Sequence, residues 1–319
     1  MRDAPDVGAT VDGPIVAITD RSGFDESRHH GIGVALDASG EVVSALGDPV
    51  TPIYPRSSNK AMQADAMLRA GWEPTSEQLA LACASHAGTE RHIGVVRSTL
   101  AGAGLGPDDL RNTAGLPLDE ASAHALLAAG VTPAPLYMNC SGKHAGMLAT
   151  SRVNGWPLDT YLRFDHPLQQ AIGSRITELT GGVVHIGIDG CGAPAHVMRL
   201  VGLARAFRTL AMERGRVWSA MSTHPELVSG DGRDATRLMQ LVPELMAKDG
   251  AEGVFAAALP DGRAAAVKIL DGNGRAAGVV LASLLQSVGV EVGPDDLDAP
   301  IFGHGEPVGR VRSIVGGAA

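Results

Sequence analysis

Three of the four lysines in this chain stand where an amine could do chemistry. The chain has 319 residues and carries twenty-two arginines, so lysine is scarce. A buried ammonium can lose its proton whereas a guanidinium stays charged, so a lysine kept in such a chain is a candidate base or ligand. Lys60 follows Ser57 by three positions at a predicted helix start, which places both side chains on one helix face. The pair predicts a serine nucleophile activated by a lysine; a serine N-cap beside a solvated lysine is the alternative.

A second serine lies in the segment Ala84-Ser85-His86-Ala87-Gly88, after a predicted helix. Its hydroxyl could relay protons or orient a substrate. The alternative is a helix end at which Ser85 and His86 bond the last carbonyl groups.

Cysteine and lysine come together in Cys140-Ser-Gly-Lys143-His144, and a further cysteine, Cys191, lies far downstream between glycines. Two thiolates suit Zn²⁺, and one nitrogen ligand would leave an open position for water or substrate. Because lysine must be neutral to bind a metal, donor chemistry alone favours His144 as the third ligand. Buried apolar thiols without a metal are the alternative.

Two further charged residues lie directly after or on predicted strands. Asp189 follows a predicted strand, where functional loops are common, and its carboxylate could bind a substrate ammonium group. Lys268 lies on an alternating strand over residues 263–270, where a solvent-facing lysine is the ordinary interpretation. The fourth lysine, Lys248, precedes a glycine-bearing turn at a predicted helix end and is interpreted as structural.

The secondary structure that must position these residues changes type twice along the chain, from strands to helices and back to strands. Residues 14–19 predict a strand, and residues 31–36 and 42–46 predict a hairpin around Asp-Ala-Ser-Gly. An apolar stripe predicts a helix from about residue 60 to Gly71, and Thr75 with Gln78 predicts a capping box. Later helices are predicted near residues 119–129, 166–179, 195–211 and 235–247, with a strand at 183–188. After Gly250, a hairpin over 263–270 and from 275 onward is predicted, then a helix to about 288.

This order predicts an α+β fold in which strands from both chain ends share a sheet. Residues 1–55 and 250–319 would form a discontinuous sheet lobe, and residues 56–249 an inserted, mainly helical lobe with the active site between the two. A continuous two-domain protein split near residue 180 is the weaker alternative.

Composition excludes several classes of protein. The net charge of −9 gives no basic surface for nucleic acid or anionic lipid. No apolar run reaches the roughly 20 residues of a membrane span, and the N-terminus lacks a signal-peptide pattern. Three cysteines do not suggest a disulfide framework. We therefore expect a soluble cytoplasmic protein that binds neither nucleic acid nor membrane.

Taken together and in order, the motifs resemble the bacterial L-asparaginase II family of rhizobial type over roughly residues 12 to 290. The resemblance rests on Ser57-x-x-Lys60, Ser85-His86-x-Gly88, Cys140-Ser-Gly-Lys-His-Ala-Gly-Met147, Ile188-Asp-Gly-Cys-Gly-Ala-Pro194, His224-Pro225 with Gly230 and Arg233, and Lys248-x-Gly-Ala-Glu-Gly253. It implies a fold like that of serine β-lactamases and glutaminases.

The resemblance also implies a reaction, the hydrolysis of L-asparagine to L-aspartate and ammonia by a homodimer. In that reading Ser57 is the nucleophile, Lys60 its base, and Ser85 forms a dyad with Lys268. The implied roles at the remaining positions are substrate binding by His86 and Asp189, and zinc binding by Cys140, Lys143 and Cys191, with Lys143 in place of His144. A glutaminase, a β-lactamase-like hydrolase or a non-catalytic zinc-binding protein are the alternatives.

Overall fold

One curled antiparallel sheet of eight strands forms the centre of the fold. The computed structural model of the chain describes residues 12–297 and 299–316. Its strands are β1 (Ile15–Arg21), β2 (Phe24–Leu36), β3 (Val42–Leu46), β4 (Pro52–Ile53), β5 (His185–Ile188), β6 (Pro194–Arg199), β7 (Met246–Gly250), β8 (Val254–Ala258), β9 (Ala264–Ile269), β10 (Pro300–Gly303) and β11 (Glu306–Ser313). The large sheet has the order β10-β11-β1-β2-β9-β8-β7, and β3 pairs with β2. The predicted α+β class is confirmed.

The long strand β2 joins the two halves of this sheet. Its first half pairs with β1, and its second half pairs with both β9 and β3. Burial follows the same division, because β2 is mostly exposed before Gly31 and fully buried from there to Leu36. The predicted hairpin of residues 31–36 and 42–46 is confirmed by the β2–β3 pairing.

Eleven helices are found in the described residues. They are α1 (Lys60–Arg69), α2 (Ser76–Ala82), α3 (Glu90–Gly102), α4 (Glu120–Ala128), α5 (Ser141–Val153), α6 (Pro167–Thr180), α7 (Leu200–Met212), α8 (Arg216–Thr223), α9 (Pro225–Val228), α10 (Asp234–Leu241) and α11 (Ala277–Ser287). The predicted capping box is present, since Thr75 Oγ1 accepts from the Gln78 amide and the Gln78 side chain accepts from the Thr75 amide. No helix in the described ranges is long and apolar enough to cross a membrane.

Alanine-rich strands let two helices pack closely on the sheet. β8 and β9 are buried and consist largely of alanine, and both α7 and α11 pack against them and against β2. α11 is buried from Ala277 to Leu285 without a break, as expected of a helix covered on all sides. A second, three-stranded sheet has the order β4-β6-β5.

Three predicted elements are wrong. Residues 194–199 form β6, not the start of a helix, because they pair with β4 and β5. Residues 246–250 form β7 at the sheet edge rather than a helix end. No strand follows β9 directly, because the Asn273 side chain caps a short 3-10 helix that leads into α11. The division into two lobes remains a prediction, although β7 shows that the large sheet includes residues before 250.

Candidate active site

Ser57 lies on a short turn with an unusual backbone. It belongs to a 3-10 helix, Arg56–Asn59, that runs directly into α1. Arg56 has a φ of 51°, and this left-handed conformation costs a residue with a Cβ about 1–2 kcal/mol. Such conformations cluster at active sites, where the surrounding structure holds them. Ser57 is half-buried.

The Lys60 side chain contacts two other predicted motifs, those of Ser85 and Cys140. The residue is 1% exposed, and its Nζ donates to the Ala84 carbonyl oxygen. The same Nζ lies 3.2 Å from Ser85 Oγ and 3.1 Å from Cys140 Sγ. No hydrogen bond joins Ser57 Oγ to Lys60 within the described ranges, and catalytic contacts of this kind are often long before a substrate binds.

The Ser85 segment is fixed by the backbone on both sides. The Ser85 amide donates to the Val228 carbonyl and the His86 amide to the Asn139 carbonyl, each at 3.1 Å. His86 Nε2 lies 2.9 Å from Ser141 Oγ, and burial lowers the pKa of His86 well below its usual value. The residue is fully buried, so its role in substrate binding stays a prediction.

Sulfur and amine groups form a buried cluster beside Lys60. Cys140 precedes α5, Lys143 lies in its first turn, and Cys191 lies in the loop between β5 and β6. Lys143 Nζ is 3.1 Å from Cys191 Sγ. His144 Nδ1 is 2.9 Å from the Tyr161 hydroxyl, and the His144 side chain also interacts with Cys191.

The charges of this cluster stabilise one another. A hydrogen bond from the Cys140 thiol, together with the positive charge of Lys143, holds the pKa of Cys191 far below the usual range of a thiol. The same hydrogen bond raises the pKa of Cys140. Burial opposes the charge on Lys143, but the negative charge nearby outweighs it and raises the pKa of this amine. These shifts favour a negative charge on Cys191 beside the positive charge of Lys143.

The donor set agrees with a metal site that includes lysine. No three His, Cys, Asp or Glu side chains are placed to hold a metal ion within residues 12–297 and 299–316, so the two cysteines lack a third ligand of those types. The Lys143 amine lies against Cys191. Thiolates are soft ligands that select Zn²⁺, so Cys140, Lys143 and Cys191 fit a zinc ion that displaces the lysine proton.

Asp189 is paired with the arginine that precedes the candidate nucleophile. Its Oδ1 accepts from Arg56 Nε at 2.9 Å and from Arg56 Nη2 at 2.8 Å. A cavity of about 730 Å³ opens beside Arg56, with Tyr54, Ile188 and Lys268 in its wall.

Lys268 lies in the wall of this cavity. Its Nζ donates to the Glu252 carbonyl oxygen, and burial lowers its pKa. Across the described chain, no hydrogen bond joins Lys268 to Ser85 or Ser57. The dyad of Ser85 and Lys268 that the resemblance implies thus stays a prediction.

Lys248 is the charged residue whose importance the sequence reasoning missed. It is fully buried on β7, and burial lowers its pKa to about 8. Lys60 is one of the charges that contribute to this shift. Two residues on, Gly250 packs so closely on the Ser57 turn that a Cβ there would clash with the Pro55 carbonyl and Ser58. Two features of the sequence could have indicated a role for Lys248: lysine is scarce in this chain, and Lys248 stands two residues before a glycine.

The family model described as L-asparaginase II matches residues 17–313. No curated protein sequence matches. Similar solved structures include a β-lactamase from Mycobacterium bovis, with 13% identity and a TM-score of 0.41 over 81% of this chain and 93% of that one. They also include EstCE1, a hydrolase with promiscuous acyltransferase activity, with 12% identity and a TM-score of 0.41 over 81% and 93% of the two chains.

Proposed function

The chain belongs to the L-asparaginase II family, and on this premise we propose that it hydrolyses L-asparagine to L-aspartate and ammonia. The family supports an asparaginase-like hydrolase. The observation that carries the finer proposal is the buried Lys60 amine, one turn after Ser57 and 3.2 Å from Ser85 Oγ. This arrangement supplies a hydroxyl nucleophile, a base and a second hydroxyl in one place.

The proposed reaction has two halves. Lys60 takes the proton of Ser57 as its Oγ forms a bond to the side-chain amide carbon. The carbon–nitrogen bond then breaks, and the leaving nitrogen takes a proton through Ser85 and departs as ammonia. Water then adds to the acyl-enzyme as its proton passes through Ser85 to a second amine, which the first half left neutral. The ester bond breaks as protonated Lys60 returns its proton to Ser57 Oγ, which releases aspartate and restores both amines.

A second amine must return a proton to Ser85, and we propose Lys248 for this role in place of Lys268. Lys248 is fully buried, and the charge of Lys60, whose Nζ lies 3.2 Å from Ser85 Oγ, contributes to the lowered pKa of Lys248. The end of its strand packs against Ser58, next to the nucleophile. Lys268 stays the alternative that the resemblance implies.

The ion pair of Arg56 and Asp189 supports binding of an amino-acid head group. A carboxylate accepts an ammonium group and a guanidinium binds a carboxylate in a bidentate way. The ammonium group of a zwitterionic substrate could therefore bind Asp189, and its carboxylate could bind Arg56, in place of the ion pair between these two residues. Because Arg56 precedes Ser57, this would place the head group beside the nucleophile.

Zinc is proposed as the metal of the sulfur cluster. Cys140, Lys143 and Cys191 would hold it, and when bound it would supply a fixed positive charge that aids substrate binding. Ser57 supplies the nucleophile in this scheme. In the metal-free cluster the ammonium of Lys143 lies against the Cys191 sulfur. With zinc bound, Lys143 would be neutral, and the metal would supply the positive charge beside Cys191.

Ammonia release from an amide panel tests the proposed activity. The panel contains L-asparagine, L-glutamine and a β-aspartyl compound, with hydrolysis of a chromogenic β-lactam measured in parallel. We expect L-asparagine to give the highest kcat/KM. A preference for glutamine or for the β-lactam would replace the proposed substrate, and no hydrolysis of any compound would favour a non-catalytic zinc-binding protein.

A cytoplasmic homodimer completes the proposal. The three cysteines are free and buried, which agrees with a reducing compartment. Light scattering of the purified chain tests the dimer, and a monomer at micromolar concentration would contradict it.

A further inference from the structure

A line of charged contacts leads from α10 to the buried amine of Lys248. Lys248 Nζ donates to Asp249 Oδ1 at 2.6 Å and to the Asp249 carbonyl oxygen at 2.6 Å. Arg233 Nη2 lies 3.3 Å from the other carboxylate oxygen, Asp249 Oδ2. Arg233 is itself held by a hydrogen bond from its Nε to Ser229 Oγ at 2.8 Å. Asp249 therefore bridges an arginine and a lysine.

We propose that Asp249 and Arg233 are positioning residues that set the charge of the Lys248 amine during hydrolysis. The inference rests on the proposed function and deepens it, because it names the groups that tune the second amine. Neither residue touches the sites assigned to substrate. Asp249 holds the amine in place and favours its charged form, whereas Arg233 competes for the same carboxylate.

The position of Arg233 ties this pair to Ser85. Arg233 precedes α10, and the segment from α9 to Arg233 includes Ser229. The carbonyl of Val228, the neighbour of Ser229, accepts the Ser85 amide. One short segment thus holds the backbone of the second serine and contacts, through Arg233, the carboxylate that binds Lys248.

Few other charges act on Lys248. From α1 comes Lys60, whose charge opposes that of Lys248. Cys83 follows α2, and burial raises its pKa to about 12, so the thiol stays neutral. Asp234 begins α10, and burial raises its pKa. The residue opposite Lys248 on β8 is Ala256. Asp249 is thus the carboxylate that directly bonds Lys248.

The signs of the two contributions are opposite. Burial lowers the pKa of Lys248 to about 8, Asp249 works against this shift, and Arg233 adds to it. Removing the carboxylate should therefore lower the pKa of Lys248 further, and removing the guanidinium should raise it. In the proposed reaction Lys248 delivers a proton, so it must be protonated, and turnover should fall as the pH rises through its pKa.

The experiment compares the pH dependence of kcat/KM for asparagine in wild type, Asp249→Asn and Arg233→Gln. We expect the alkaline limb to move to lower pH in Asp249→Asn and to higher pH in Arg233→Gln, each by about one pH unit. Arg233→Lys keeps the charge and should restore much of the wild-type profile. The surface pair of Arg312 and Asp25, 2.9 Å apart, supplies matched controls, because Arg312→Gln and Asp25→Asn should leave the profile unchanged.

A second measurement reads the Lys248 amine directly. With four lysines in the chain, ¹⁵N-lysine NMR resolves each side chain, and the Lys248→Met spectrum assigns the signal. The two variants should shift its titration in opposite directions. Shifts in the same direction, or none in folded protein, would overturn the inference, and so would NMR shifts without matching shifts of the rate profile. Absence of asparagine turnover in wild type would instead contradict the proposed function.

Discussion

At the scale of single residues, the scarce lysines divide by burial. Lys60, Lys143 and Lys248 are at most 1% exposed, and each contacts a group that could use a proton or a positive charge. Lys268, by contrast, is half-buried in a cavity wall. Because burying a charge is costly unless it is paired, an arginine-rich chain that buries three lysines points to a use for amines that lose protons.

Lys248 and Lys268 can be separated by substitution. Lys248→Met should lower kcat by about a hundredfold or more, since a positioned acid or base contributes that much. Lys268→Met should lower kcat far less, because Lys268 is half-buried in the cavity wall and its Nζ donates to the Glu252 carbonyl oxygen, whereas Lys248 is fully buried on the strand that packs on the Ser57 turn. Steady-state ammonia release measures both. The reverse order of effects would return the second dyad to Lys268.

Metal content tests the sulfur cluster. Cys140→Ser should lose stoichiometric zinc and raise KM for asparagine, because a hydroxyl is a poor substitute for a soft thiolate ligand. Cys83→Ala is the matched control, since Cys83 is also a free, buried cysteine and lies outside the cluster. Elemental analysis of the purified proteins gives the answer, and equal zinc in both variants would contradict the assigned ligands.

The sequence indicates the types of the candidate catalytic residues better than it indicates their contacts. The spacing of Ser57 and Lys60 was enough to predict a serine–lysine pair. The contact of Lys60 with Cys140 and the pairing of Arg56 with Asp189 join residues 80 and 133 positions apart, and no local pattern encodes such distances. The sequence predicts a helix end at Lys248, whereas the structure has strand β7 there, so the sequence did not indicate a role for this lysine.

At the scale of elements, β7 approaches the turn of the candidate nucleophile Ser57 closely at Gly250. Gly250→Ala should destabilise the protein by about 1–3 kcal/mol and reduce turnover, because the added Cβ would meet the Pro55 carbonyl and Ser58. Gly94→Ala is the control: Gly94 is an exposed position within α3 with free space around it, where alanine should stabilise by about 0.5–1 kcal/mol. Urea denaturation compares the two, and a neutral Gly250→Ala would contradict this packing.

Elements with local signals were predicted well, and elements made by distant pairing were not. The α2 capping box and the β2–β3 hairpin are set by residues within one turn of each other. β6 was predicted as helix although its partner β5 was predicted as a strand. Its other partner, β4, has only two residues and carries little signal. β10 and β11 carry no strong local pattern. β11 is held by pairing with β1, and β10 is held by pairing with β11.

At the scale of the whole molecule, the two ends of the described chain meet in one sheet. β1 pairs with β11, so that Ala17 lies opposite Ser313, and the sheet continues through β2 and β9 to its other edge at β7. That edge carries Lys248 and supports the turn that carries Ser57. The order of strands, helices and strands was enough to predict this shared sheet, but not which strand would form its functional edge.

The nucleophile is the central claim, and one comparison tests it most directly. Ser57 and Ser58 are neighbouring serines on the same 3-10 helix, so Ser57→Ala and Ser58→Ala remove the same group one position apart. The measurement is the rate of ammonia release from L-asparagine. We predict that Ser57→Ala loses at least about a thousandfold in kcat, whereas Ser58→Ala stays within about tenfold of wild type. Near-normal turnover by Ser57→Ala would contradict the account.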